Sequence, residues 1–109
     1  MIINACPHDI NVYKDNILVK TYPKTDILVR VSVNSKLVGE IDGCPLFENE
    51  YGDIEGLPPQ TDGVFYIVSA RVADTNSKSG HLRNDLLVPG SQLRNEKGEI
   101  LGCCGLVKG

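Results

Sequence analysis

The chain has 109 residues, 41% hydrophobic and 23% charged, which suits one compact domain, 1–109, with a single core. No apolar run approaches the roughly 20 residues that span a bilayer, so a membrane-spanning helix is excluded. The formal net charge of -3 argues against a long nucleic acid as partner.

The opening Met1-Ile2-Ile3-Asn4-Ala5-Cys6-Pro7 lacks the basic region and apolar stretch of an export signal. A cytoplasmic location with reduced thiols is therefore expected. Ile10-Asn11-Val12-Tyr13 and Ile17-Leu18-Val19-Lys20 flank Lys14-Asp15-Asn16 and read as a hairpin. Ile27, Val29, Val31 and Val33 fill every second place of the next run, the pattern of a strand with one face on a core. Val38-Gly39-Glu40-Ile41, Asp42-Gly43 and Cys44-Pro45-Leu46-Phe47 form a second hairpin, because Asp-Gly accepts the positive φ angles of a type I′ turn. Pro45 removes a ladder donor and assigns its strand to a sheet edge.

Gly56 to Gly63, with Pro58-Pro59 inside it, is a rigid connection into Val64-Phe65-Tyr66-Ile67-Val68, the expected central strand. Ser69 then caps a short helix over about residues 69–77, the one place where helix formers gather. Asp85 to Val88, Ser91 to Arg94 and Glu99 to Cys104 read as short strands separated by Pro89-Gly90 and Asn95-Glu96-Lys97-Gly98 turns. The fold class these elements predict is mainly β: a small, largely antiparallel barrel or sandwich with one short helix. The open edges of so small a sheet invite pairing between copies, hence a homo-oligomer.

Charge is unevenly spread. Residues 37–62 hold seven acids (Glu40, Asp42, Glu48, Glu50, Asp53, Glu55, Asp62) and no Lys or Arg, while both flanks are weakly basic. An acidic, solvated loop region is the plain reading of that stretch. Four cysteines, Cys6, Cys44, Cys103 and Cys104, show no C-x-x-C spacing, and only His8 and His81 could add ligands, so neither a metal nor a cofactor is expected. Cys103 and Cys104 are expected in or beside the final strand, with one of them inward.

Asn4-Ala5-Cys6-Pro7-His8-Asp9-Ile10, Val38 to Gly43, Gly56-Leu57-Pro58, Gly63 to Ser69 and Asp85-Leu86-Leu87-Val88-Pro89-Gly90 together carry a resemblance. The chain is similar over nearly its whole length to a group of small, largely uncharacterised proteins of phages, prophages and bacteria. That group opens N-x-x-P-H-x-I, with Thr more usual where Cys6 stands. The resemblance implies a phage-type accessory role, in the host cytoplasm if phage-encoded, and no particular chemistry.

No nucleophile elbow, P-loop, dinucleotide fingerprint or zinc-protease motif is present. Anion binding is the sharper expectation. A strand that ends at Ser69 and opens a helix presents unpaired N–H groups, and Arg71 stands in the first turn. Arg83 and Arg94 lie on segments that could return to the same end, and guanidinium forks suit phosphate oxygens. Tyr66 and Phe65 face opposite sides of one strand, so one is core and the other can stack on a base. His8 either donates to a ligand or locks the turn after Pro7 together with Asn4 and Asp9. His81 falls in a polar loop and reads as solvated.

The function expected from these features is sequestration of a small phosphorylated, nucleotide-like signal by His8, Tyr66, Ser69, Arg71, Arg83 and Arg94, without catalysis. Two alternatives stand beside it. One is a small hydrolase of a nucleotide or peptide bond using His8 with Asp9 or Asp85. The other is an interaction module that presents the acidic 40–62 segment, with Glu48, Glu50 and Asp53, to a basic partner.

Overall fold

The structure, a computed structural model, describes residues 1–80 and 83–109. Its elements are β1 (Ile2–Asn4), β2 (Ile10–Lys14), β3 (Ile17–Tyr22), β4 (Arg30–Ile41), β5 (Cys44–Glu55), β6 (Phe65–Ile67), α1 (Ala70–Lys78), β7 (Leu86–Pro89), β8 (Gln92–Arg94), β9 (Ile100–Cys103) and β10 (Leu106–Lys108). The protein is mainly β with one helix, as the punctuation of short apolar runs predicts. The strands form three sheets in a layered, sandwich-like arrangement, and no barrel closes among the described residues.

One sheet, ordered β1-β6-β7-β10, is the middle layer. Its alternation separates two cores. Ile3, Tyr66, Val68, Leu86 and Val88 point to one side, where they meet Val72 and Ala73 of α1 together with Val29, Val31 and Ile54. Ile2, Ile67, Leu87 and Leu106 point to the other, onto Ile10, Val12 and Cys103 of a second sheet ordered β3-β2-β9-β8. A sheet covered on both faces needs a near-continuous apolar strand at its centre, which is why residues 64–68 are so hydrophobic.

Among the described residues four of the seven strand pairings are antiparallel and three are parallel: β2 with β9 and, in the middle of this sheet, β1 with β6 and β6 with β7. Helix α1 is the crossover between β6 and β7, a βαβ unit. Parallel order brings the carboxyl ends of β1, β6 and β7 to one edge of the layer.

Both predicted hairpins form, through Asp15-Asn16 at φ 52° and 64° and Asp42-Gly43 at 52° and 79°. The second is far longer than expected. β4 and β5 pair over twelve residues each as an isolated two-stranded ribbon, so Glu48, Glu50, Asp53 and Glu55 lie on a strand and not in a loop. Pro45 sits on it at no cost to a neighbour, since both strands of a ribbon are edges. Ile27 and Val29 reach the core before β4 begins, but Val33 is exposed, because the chain has left the body by then. Cys103 is buried and Cys104 exposed, but β9 is not the final strand, since β10 follows it.

Candidate functional site

Asn4, at the end of β1, organises the segment that follows. It is buried, and its side chain makes three hydrogen bonds. Nδ2 donates to the carbonyls of His8 (2.7 Å) and Tyr22 (2.9 Å), while Oδ1 accepts from Cys6 N–H (2.9 Å). Asp9 Oδ1 accepts from Lys24 N–H at 2.9 Å, and Thr25 Oγ1 donates to the Asn4 carbonyl at 2.9 Å. The Asn-x-x-Pro-His segment is thereby folded into a fixed loop. His8 is its exposed corner, with Nδ1 3.1 Å from the Asp9 carbonyl oxygen.

Ser69 ends the run from β6 and caps α1. Its φ and ψ of -69° and 159° are extended, and Oγ accepts from Val72 N–H at a long 3.4 Å. The N–H groups of Ala70 and Arg71, in the first turn, have no carbonyl partner within the helix.

These two segments face one another across a cleft of about 640 Å3. His8 and Asp9 stand on one side, Ser69 and Ala70 on another, and Pro89-Gly90 at the end of β7 closes a third. Ile10, Ile100 and Leu101 supply apolar wall. The carboxyl ends of all three parallel strands therefore border one concavity. Ligands of open parallel sheets bind in this position, because helix N-termini and loop N–H groups converge there.

Of the six residues singled out from sequence, only His8 and Ser69 line the cleft. Tyr66 is core, 5% exposed, because its side of β6 faces α1; it offers no stacking surface. Phe65 is the partly exposed aromatic, but it stands at the opposite, amino end of β6. Arg71 turns away from the cleft onto the ribbon, its guanidinium 3.9 Å from the Tyr51 ring centroid, a cation–π contact. There it helps to line a separate hollow of about 340 Å3 with Asp74, Thr75 and Lys78. Arg83 is committed to Asp85, Nε to Oδ1 at 3.0 Å and Nη2 to Oδ2 at 2.7 Å. Arg94 donates to the Gly98 carbonyl (2.7 Å) and to Gln92 Oε1 (3.0 Å). Gln92 lines the cleft, so Arg94 is held beside it although its own side chain is not part of the wall. His81 lies outside the described residues.

The hydrolytic alternative requires a carboxylate on His8. Asp85 is bound to Arg83, Asp9 Oδ1 is bound to Lys24 N–H, and His8 meets only the Asp9 backbone carbonyl. Neither acid is placed as the partner of the imidazole.

Two thiols that the sequence expectation left out of the site, Cys6 and Cys103, line the cleft. Each donates to a carbonyl at 3.5 Å, Cys6 to Ile67 and Cys103 to Asn11. Burial pushes the Cys6 thiol above the usual thiol range, since a thiolate there would lose its hydration. A maleimide-type probe near neutral pH should therefore label exposed Cys44 and Cys104 first and Cys6 slowest, read by mass spectrometry of digests. Rapid labelling of Cys6 would contradict the packing described.

Compared with protein families, with characterised proteins and with solved structures, the chain finds no match, and its function has to be read from its geometry.

Proposed function

We propose that the protein is a non-catalytic binding module that captures a small phosphorylated, nucleotide-like ligand. The observation that carries the reading is the single cleft at the carboxyl ends of β1, β6 and β7, bordered by His8 and the amino end of α1. Its volume, about 640 Å3, falls in the range of small-molecule sites. The phosphate is received by the first-turn N–H groups of α1 and the His8 ring, with Arg94 beside Gln92 as the nearby cation. Ile10, Ile100 and Leu101 give an apolar wall for a base or sugar. The resemblance to phage and prophage proteins supports a ligand that is a host nucleotide signal, such as a cyclic oligonucleotide or an ADP-ribose derivative. Sequestration needs only this preformed enclosure and no chemistry.

Titration calorimetry against a panel of such nucleotides tests the reading. Binding is expected for at least one, weakened about tenfold by His8→Ala, the loss of roughly 1.4 kcal/mol, with the ligand recovered intact. No heat from any member at high micromolar concentration would sink it.

A second reading has its own observation. The β4–β5 ribbon extends from the body with six acids and two bases, and exposed apolar side chains along it. An interaction module, including one between copies of the chain, uses such an arm, and association through it weakens as salt rises.

A further inference from the structure

The β4–β5 arm is amphipathic in a way that the body does not use. Register pairs Val33 with Tyr51, Ser35 with Asn49 and Leu37 with Phe47, and side-chain alternation puts these six on one face. These six carry no charge, and beyond the bulge after Leu37 the acidic Glu40, opposite Pro45, joins their face. Asn34, Glu50, Lys36 and Glu48 occupy the other. At the base the face of these six is used, through Tyr51 on Arg71. Further out it is bare: Leu37 and Phe47 are each 60% exposed, and past the bulge after Leu37 the exposed Ile41, opposite Cys44, falls on the other face.

An isolated two-stranded ribbon is marginal in water, and this one leaves its apolar side chains wet. The arm also stretches the molecule. The radius of gyration is 16.5 Å, against roughly 13 Å for a compact chain of this length.

The body offers a matching surface. β3 is an outer strand of its sheet, so one row of its backbone N–H and C=O groups is unpaired. Ile17, Leu18 and Val19 are all exposed on it, between Lys14 and Lys20. The outer end of the arm, from Leu37 to Glu48, holds Glu40, Asp42 and Glu48 and no cation. One surface is apolar and acidic; the other is apolar and carries Lys14, Asp15 and Lys20, a net charge of +1, and both belong to the same chain.

We propose that the outer arm, Leu37 to Glu48, docks on the β3 edge of a second copy of this chain, reciprocally, in a two-fold dimer. The inference rests on reading the arm as an interaction module. Reciprocity is required by area. The outer arm is five residues long on each strand, Leu37–Ile41 and Cys44–Glu48; at roughly 3.4 Å each, on a ribbon roughly 10 Å wide, it covers about 170 Å2 of the partner. Two such contacts remove about 700 Å2 in total, the size of a weak, concentration-dependent interface, and one removes only half of that.

Sedimentation velocity of the full chain tests it. The wild type is expected at twice the chain mass at high micromolar concentration. Leu37→Asp/Phe47→Asp is expected at the chain mass with unchanged circular dichroism, since neither side chain is in the body. Lys14→Glu/Lys20→Glu and Glu40→Lys/Glu48→Lys are each expected to be monomeric, and an equimolar mixture of the two is expected to regain the dimer. A monomeric wild type overturns docking on a second copy and leaves the arm as a module for another partner. A dimer that survives Leu37→Asp/Phe47→Asp overturns both the docking and the interaction reading. A mixture that stays monomeric overturns β3 as the receiving edge.

Discussion

Replacing Asn4 by aspartate, a change of one group at almost constant volume, should destabilise the protein by about 3 kcal/mol. The Nδ2 group donates to two carbonyls, those of His8 and Tyr22, and a carboxylate oxygen in its place can donate to neither. Asn4→Ala removes all three hydrogen bonds and strands two carbonyls and the Cys6 N–H, with a similar expected loss. Chemical denaturation followed by circular dichroism measures both. The volume-conserving variant is the informative one: if Asn4→Asp matches the wild type near neutral pH, the polar ring around Asn4 does not hold the loop. If the proposed function holds, the same variants also weaken nucleotide binding, because the loop they release is the one that presents His8 to the cleft.

The second large effect is expected at Asp85. Its carboxylate is 4% exposed and doubly bonded to Arg83, whose side chain is 18% exposed. Asp85→Ala leaves a guanidinium largely out of water with no counter-charge, which should cost about 3–5 kcal/mol. Arg83→Met strands the carboxylate instead and should cost a comparable amount. The double variant Arg83→Met/Asp85→Leu removes both charges and should be more stable than either single one, because desolvation of the pair offsets most of its attraction. Two single variants within about 1 kcal/mol of wild type would mean that the pair is effectively solvated. The main chain around this pair is also tied in, since buried Asn76 of α1 donates to the Arg83 carbonyl and accepts its N–H. Arg83 is thus a structural staple between helix and strand, and its positive charge is already neutralised.

Much of the fold is legible in the residues. Lys-Asp-Asn and Asp-Gly announce two turns because few residue pairs tolerate two consecutive positive φ angles. Ser69 announces α1, and the apolar run 64–68 announces the central strand. The parallel pairings are not legible. β1 and β6 are three residues each, too short to show a period, and they meet only through their place in a sheet built from distant segments. The ribbon is hidden for another reason. Acidic residues alternating with Phe47, Tyr51 and Ile54 read as loop by composition, and only cross-strand register shows six uncharged side chains on one face.

The candidate site is half legible. Ser69 and His8 do border one cleft, and they stand out in the sequence because capping and turn chemistry are local. The arginines fall outside the cleft wall because a guanidinium on a long side chain is placed by its partner: Tyr51 for Arg71, Asp85 for Arg83, Gly98 and Gln92 for Arg94. Tyr66 is misassigned because a strand covered on both faces has no wet side to leave for function. Asn4 could have been found as more than turn chemistry. An asparagine two residues before a buried cysteine, closing a strand, has many backbone groups within reach and little water to satisfy them.

The middle sheet also sets the order in which the chain can fold. Its four strands come from residues 2–4, 65–67, 86–89 and 106–108, so no contiguous half of the sequence contains it. The two hairpins and α1 are local and can form early, but the layer that unites the two cores waits for segments from both ends of the sequence. Loop closure on that scale is slow, in the millisecond-to-second range typical of sheets with distant pairings. During that interval the apolar side chains of the arm are exposed, and its acidic side chains, by repelling their like on other chains, oppose the association of incompletely folded molecules.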